Sequence, residues 1–309
     1  MGNRLWVGGN RGWYYRISQT MDEGKWQTET QATPKQVLAL IASPRTLGNC
    51  ETFAKEISRH IPEPHALKLL RLTSLKIRPC RACYGCVMGN PCPEEDDMQF
   101  LLGELAGADA VILSSPVYYL GANAMIKSVC DRGFLFFSIL EKTYGKPIIL
   151  LNFFGIPERI GMAPQMLETF AMFLGMSVKV SLSIQAALPG EALMNEKNLA
   201  LAHRLGQTLF SSGSIKPERG CPFCTSQIIR IAEKDFICTV CHGSFAINAD
   251  GSFIKMKDGG IIGPPEHMLH HREWLCGMKK KFQENKKKII QTIAGYKNDG
   301  DWIKPPEKT

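Results

Sequence analysis

VLALIASPRTLGNCETFAKEI, residues 37–57, decides how the chain is read. Its first six residues form a continuous apolar run of strand length. A turn follows, and then Phe53, Ile57 and Ile61 recur every fourth residue, the spacing of one helix face. A buried strand feeding a helix is half of a βαβ unit. The turn between them carries chemistry of its own. A helix N-terminus offers free N–H groups and a partial positive charge. Ser43 and Arg45 add a hydroxyl and a guanidinium, Gly48 permits a tight turn, and Asn49 is expected to cap the helix. Together they suit a monophosphate. The stretch has neither the Gly-Lys-Ser/Thr of a Walker loop nor a G-x-G-x-x-G fingerprint. The competing reading is a plain strand-to-helix turn.

The alternation continues outward. ALKLLRLTSL (66–75) reads as a second strand, and 96–107 as a helix capped by Asp96 or Asp97. Residues 108–116 and 146–154 are buried strands, with GANAMIKSVCDRGF (121–134) as the helix between them. A helix at 162–175, a strand at 177–184 and a helix at 191–210 complete the unit. The expected fold class is therefore α/β: a flavodoxin-like, doubly wound sheet of five parallel strands. In that topology ligands sit at the carboxyl ends of the strands, at the switch point. Pro116, Val117, Tyr118 and Tyr119 end the third strand, where apolar and aromatic side chains suit a flat tricyclic ring. Asn152 opens a third loop, NFFGIPERIG (152–161), on the same edge. Core packing is the alternative for one of the tyrosines.

Eleven cysteines fall mainly into two tetrads. Cys80, Cys83, Cys86 and Cys92 lie in one loop, 76–95, with ferredoxin-like Cys-x2-Cys-x2-Cys spacing and a fourth thiol five residues on. Gly85 and Gly89 let the backbone fold back, so four thiolates can face one 4Fe–4S cluster. A zinc site or a loop without metal are the rivals. Cys221-x2-Cys224 and Cys238-x2-Cys241, thirteen residues apart, match a zinc ribbon. The ribbon's rival is a rubredoxin-like iron site. IIRIAE, DFIC and SFAINADGSFIK supply its strands. His242 is a bystander to a complete tetrad, and His267, His270 and His271 read as polar-face residues of a helix. Cys130 reads as a small apolar core residue, and Cys276 has no nameable partner.

SPRTLGNCE, the cysteine run, DDM and SPVYYLGANAMIKSVCDR occur in that order at characteristic separations. Over residues 36–210 the chain resembles the iron-sulfur flavoprotein branch of the NADPH-dependent FMN reductase family. The resemblance implies FMN held at its phosphate by residues of 43–50 and at its ring by 116–119. It also implies a homo-oligomer, dimer or tetramer, in which a neighbouring chain helps build the site. Cys50 departs from the Thr or Ser common in relatives, and a thiol is a weaker donor. The expected function is electron transfer between a reduced donor, ferredoxin or NAD(P)H, and an acceptor, with FMN performing the chemistry and no catalytic protein residue. The alternatives are a clusterless NAD(P)H-dependent FMN or quinone reductase, and a regulatory or interaction protein built on the ribbon. Asp131 and Arg132 match the family pattern without a derivable role.

Composition is that of a soluble globular chain, with 44% hydrophobic and 21% charged residues. No apolar run reaches eighteen residues, and the N-terminus has no basic-then-apolar leader pattern, so the cytoplasm is expected and a membrane partner is not. The net charge of +8 draws on Lys279, Lys280, Lys281, Lys286, Lys287 and Lys288. A solvated helix face accounts for these lysines; nucleic acid is the less favoured partner. The expected organisation is an extension at 1–34, the flavodoxin-like domain at 35–210, a linker at 211–220, the ribbon at 221–262, and a C-terminal helix with a basic tail at 263–309. Met268, Leu275, Met278, Phe282, Ile289 and Ile293 form the stripe by which that helix is expected to dock on the domain or on a twin subunit rather than on a membrane.

Overall fold

The computed structural model describes residues 33–213, 220–233, 235–260 and 265–296. All but the last two residues of the extension at 1–34, most of the linker at 211–220, and the tail from 297 lie outside the described residues. The elements run β1 (Lys35–Ile41), α1 (Asn49–Arg59), β2 (His65–Arg71), α2 (Met98–Gly107), β3 (Ala110–Tyr118), β4 (Gly121–Ala122), α3 (Ala124–Asp131), α4 (Leu140–Thr143), β5 (Pro147–Phe154), α5 (Ala163–Phe173), β6 (Ser177–Gln185), α6 (Glu191–Met194) and α7 (Glu196–Thr208). Then come β7 (Ile229–Ala232), β8 (Asp235–Cys238), β9 (Ser244–Ile247), β10 (Phe253–Lys257) and α8 (Pro265–Ala294).

Five parallel strands pair in the order β2-β1-β3-β5-β6. Chain direction across the sheet reverses between β1 and β3, which makes their carboxyl ends the switch point. Val37 to Ala42 are all buried, because helices cover both faces of this strand. On one face Phe53 and Ile57 of α1 pack with Ala202 and Leu205 of α7. On the other, Leu101, Ile126, Val129, Leu167 and Phe170 bring in α2, α3 and α5. The α/β, flavodoxin-like expectation therefore holds.

Local details differ from the sequence reading. β2 ends at Arg71 in a short 3-10 turn. β3 runs on to Tyr118 and folds back as β4, a two-residue antiparallel strand. The helix expected through 121–134 stops at Asp131, and 133–138 is a 3-10 segment. Residues 191–208 form two helices, because Asn195 interrupts them and caps α7 by accepting from the N–H groups of Lys197 and Asn198. Asn49 does not cap α1; Gly48 holds that position, and the Asn49 side chain is engaged elsewhere. At α2 the cap duty falls to Asp96, whose Oδ1 accepts from the Met98 N–H at 3.1 Å, while the Asp97 carboxylate accepts from Lys76 N–H at 2.7 Å.

The cysteine module is a four-stranded antiparallel sheet in the order β10-β9-β8-β7. The segment read as one strand and a turn, SFAINADGSFIK, is two strands, β9 and β10. Its small core adds Val240 and Phe245 to the cysteines and leans on Met172 of α5. Within the chain, the described part of the α8 stripe packs mainly at its start. Met268 is buried and Leu275 half-buried, but Met278, Phe282 and Ile293 are exposed. Among the described residues no helix is long and apolar enough to cross a membrane.

Candidate functional site

The turn after β1 offers the donors of a candidate anion cradle. Ser43 is buried, and its Oγ accepts from Arg45 N–H at 3.2 Å. A Cβ at Gly48 would lie 3.1 Å from the Arg45 Cβ, so any larger residue there would press the loop apart by a few tenths of an ångström. The N–H groups of Gly48 and Asn49 donate to no acceptor among the described residues. These are the orphan donors an oxyanion needs. The loop is braced by two residues the sequence did not flag. Arg71 donates to the carbonyls of Ser43 and Arg45 and pairs with Glu51 at 2.6 Å. Glu51 accepts from Leu47 N–H and from Lys55, and the Lys55 hydrogen bond foremost holds its carboxyl down at about 2.

Two of the sequence candidates here turn inward. The Asn49 amide donates to the carbonyls of Ala186 and Leu188 and accepts from Ala192 N–H. Its side chain therefore ties the β6–α6 loop to the cradle instead of facing an anion. The Cys50 thiol is buried in the core, and desolvation pushes it up to about 11. Both residues can serve an anion only through the backbone. Arg45 stays exposed at the rim.

Tyr118 and Tyr119 stand at the same sheet edge. Val117 and Tyr118 pair with Ala122 and Gly121, and the turn between them holds Tyr119 and Leu120 at φ 46° and 61°. Hairpin turns of this kind need positive φ at both central residues. Two non-glycine residues there cost roughly 1–2 kcal/mol each. The strained turn exposes Tyr119 fully, with Tyr118 and Leu120 about half exposed, and Ile156, Met162 and Leu188 are exposed in neighbouring loops. Gly161 admits this arrangement, since a Cβ there would meet the Leu120 carbonyl oxygen at 2.1 Å. Pro116 and Val117 are half-buried, and Asn152 is wholly buried with neither amide atom partnered. An unpaired buried amide is costly, about 1–3 kcal/mol, so this edge awaits a polar partner. The apolar rim, the tyrosines and the orphan donors fit a phosphate-bearing flat heterocycle.

The loop 76–95 gathers its four thiols around one cavity of about 340 Å³, which also has Arg81, Tyr84, Glu94, Asp131, Arg132 and Phe134 in its wall. Ala82 and Tyr84 take positive φ, 51° and 56°, which turns successive cysteines toward the same space. Cys86 and Cys92 rest against the main core while Cys80 and Cys83 face solvent. Arg132 lies beneath them. Its guanidinium is 2% exposed, pairs with Asp96, and donates to Cys92 Sγ at 3.2 Å. Asp96 in turn accepts from Arg78 N–H, fixing the loop's entry. Arg132 caps the C-terminus of α3, whose other end leaves β4. The ring edge and the thiol cavity thus sit at opposite ends of one eight-residue helix, about 12 Å long. The first turns of α8 close the loop's outer side, where Arg272 Nε donates to the Val87 carbonyl at 2.7 Å.

The second tetrad has a different scale. Cys221 and Cys241 sulfurs are 3.6 Å apart, and those of Cys224 and Cys238 are 3.5 Å apart. All four lie within 4.8 Å of one another. Four thiolates at Zn–S distances around one tetrahedral ion stand about 3.8 Å apart, so this set has the spacing of ligands to a single ion. Backbone N–H groups of Phe223, Val240 and Gly243 point at the sulfurs, at 3.4 Å in each case. Thr225 and His242, each following the second cysteine of a pair, take positive φ to close the knuckles. His242 is thus a turn residue. The first tetrad rings an open cavity and suits a larger body; the second is compact enough for one ion only.

Residues 36–188 match the NADPH-dependent FMN reductase family. The chain is 27% identical over 179 residues to an iron-sulfur flavoprotein of Archaeoglobus fulgidus, covering 56% of this chain and 78% of that protein. It is 33% identical over 98 residues to an iron-sulfur flavoprotein of Methanocaldococcus jannaschii, spanning 31% of this chain and about half, 51%, of that protein. A solved structure described as a flavone reductase superposes with a TM-score of 0.66 at 16% identity, over 88% of this chain and all of that one, so the fold is shared.

Proposed function

The domain at 36–188 belongs to the NADPH-dependent FMN reductase family, which makes this protein a flavin-dependent oxidoreductase, and from that premise we propose that it relays electrons between FMN and a 4Fe–4S cluster in loop 76–95. The observation that carries the reading is the joining of the ring edge and the four-thiol cavity by α3. When bound, FMN handles electrons singly or in pairs and the cluster handles them one at a time. The chain's own residues do the rest. Ser43 and the N–H groups of Gly48 and Asn49 hold the phosphate, with Arg45 as an exposed counter-charge. Pro116, Val117, Tyr118 and Tyr119 line the ring's place, and Asn152 supplies a buried amide. Cys80, Cys83, Cys86 and Cys92 hold iron, and Arg132 offsets thiolate charge.

The donor follows from charge. α8 starts against the cysteine loop and then presents exposed Lys279–281 and Lys286–288. An acidic ferredoxin would be steered to that face. NAD(P)H at the flavin is the second reading, carried by the family. The exposed Tyr119, Leu120 and Ile156 mark where a second copy would complete the flavin edge.

Protein purified without air should show flavin absorbance together with a cluster EPR signal on reduction. Reduced ferredoxin should bleach it faster than NADPH, and the ferredoxin rate should fall steeply with salt. A preparation with flavin but no iron sinks the relay and leaves the clusterless reductase.

The closed tetrad Cys221, Cys224, Cys238 and Cys241 is read as structural zinc. Such sites contribute roughly 10–16 kcal/mol on metal binding, and the ribbon's core is small. Cys238→Ser should release the metal and open 221–257 to protease while the flavin domain still melts cooperatively. Iron in place of zinc on elemental analysis would revive the rubredoxin-like reading.

A further inference from the structure

A cluster of ligand-type side chains lies away from both cysteine sites and the flavin edge. Glu56, in the last turn of α1, and His60, the residue that caps its C-terminus, are four residues apart, which sets them on one side of the helix. α7 brings His203 to the same point. The approach is close because Gly206 has no side chain; a Cβ there would meet the Ile57 carbonyl at 2.4 Å and the His60 Cβ at 2.8 Å. Glu56 Oε1 lies 3.1 Å from His60 Nε2 and 3.3 Å from His203 Nε2. The two imidazole centroids lie 3.6 Å apart, with the rings tilted 36° from parallel. Arg59 holds the other carboxylate oxygen, Oε2, at 3.0 Å and so orients Oε1 toward the histidines.

We infer that Glu56, His60 and His203 form a binding site for a divalent transition ion that clamps α7 to α1. The donor chemistry selects the ion class. Two imidazoles and one carboxylate suit Zn²⁺, Ni²⁺ or Co²⁺, and not the all-oxygen preference of Mg²⁺ or Ca²⁺. Bonds of about 2.1 Å put neighbouring ligand atoms on one ion about 3.0–3.4 Å apart, octahedral to tetrahedral. The two distances from Glu56 Oε1, 3.1 and 3.3 Å, fall in that interval. All three ligand atoms lie within 4.8 Å of one another, as one ion requires. The histidine side chains are 33% and 39% exposed, so an ion can enter from solvent and keep water in its remaining positions.

The site's place gives its role. It lies at the C-terminal end of α1, whereas the anion cradle lies at the N-terminal end, eleven residues away or about 16 Å. Among the described residues, the hydrogen bonds of Glu56 go to Arg59, His60 and His203 and to no group of the candidate flavin edge. α7 is the last helix before the segment that leads to the ribbon. An ion here pins that helix to the sheet domain and holds fast the point from which the ribbon departs.

The test uses untagged full-length protein with flavin, iron and ribbon metal already loaded, and Ni²⁺ alone as the probe. Calorimetry should register one further Ni²⁺ per chain and a raised Tm. His203→Gln and His60→Gln should each weaken that binding by at least about tenfold, as loss of one of three protein ligands implies, and abolish the Tm increase. Flavin, iron and zinc contents should stay unchanged in both. Absence of the extra equivalent in the natural chain, or equal Ni²⁺ affinity in the chain and the two variants, overturns the assignment.

Discussion

Cys83→Ser protein prepared without air should lose the loop iron and its EPR signal almost completely, while keeping FMN and the ribbon metal. The expectation rests on the separation of the parts. Cys83 is an exposed thiol on the wall of the loop cavity, and a serine hydroxyl does not replace a thiolate on iron. The anion cradle belongs to β1 and α1 and packs with the sheet face that Cys50, Phe53 and Ile57 cover. The cysteine loop rests through Cys86 and Cys92 on the opposite face. The ribbon sulfurs form their own closed set. With its ligand gone, the loop has no reason to hold Ala82 and Tyr84 at positive φ, each costing roughly 1–2 kcal/mol. Faster proteolysis between Pro79 and Pro93 should therefore accompany the loss of iron. If flavin leaves together with iron, the loop is a wall of the flavin pocket and the two sites are one.

What could be read from the sequence was local. The strands declared themselves because both faces of a parallel sheet are buried, which turns Val37–Ala42 into an unbroken apolar run. The two tetrads were legible because knuckle and loop ligands lie within a few residues of one another. What stayed hidden depended on distant partners. Asn49 resembles a cap until Ala186, Leu188 and Ala192, 137 to 143 residues further on, claim its amide. The β4 hairpin violates local preference, since tyrosine and leucine resist the positive φ that Tyr119 and Leu120 adopt. The α8 stripe has the right period throughout, yet within the chain it is mainly the turns near Arg272 that find a surface. Glu56, His60 and His203 meet only because α7 crosses α1 at Gly206.

Arg132 is the sharpest of these cases, because a motif residue without a derivable role acquires one from its neighbours. Its partners are Asp96 and Cys92, 36 and 40 residues away. The guanidinium has a fork of donors, which lets it satisfy the carboxylate and still reach the sulfur. Hydrogen bonds and net charge at the ligating sulfurs set the potential of an iron-sulfur cluster, and a buried cation favours the reduced, more negative state. Arg132→Lys keeps the charge for Asp96 and gives up the fork. It should retain iron and lower the midpoint potential in an EPR-monitored titration. Arg132→Met removes the cation and leaves the Asp96 carboxylate without a counter-charge, held only by the backbone N–H groups of Arg78 and Met98, and a broken buried pair costs about 3–5 kcal/mol. That variant should lose stability in denaturant and hold iron poorly. Asp96→Asn combined with Arg132→Met removes the stranded charge, so part of the stability should return while the potential stays low. The split between the two readouts separates a residue that tunes the cluster from one that merely fills space. If all three variants keep the natural midpoint potential, the bond to Cys92 has no electronic effect and Arg132 serves only to anchor Asp96.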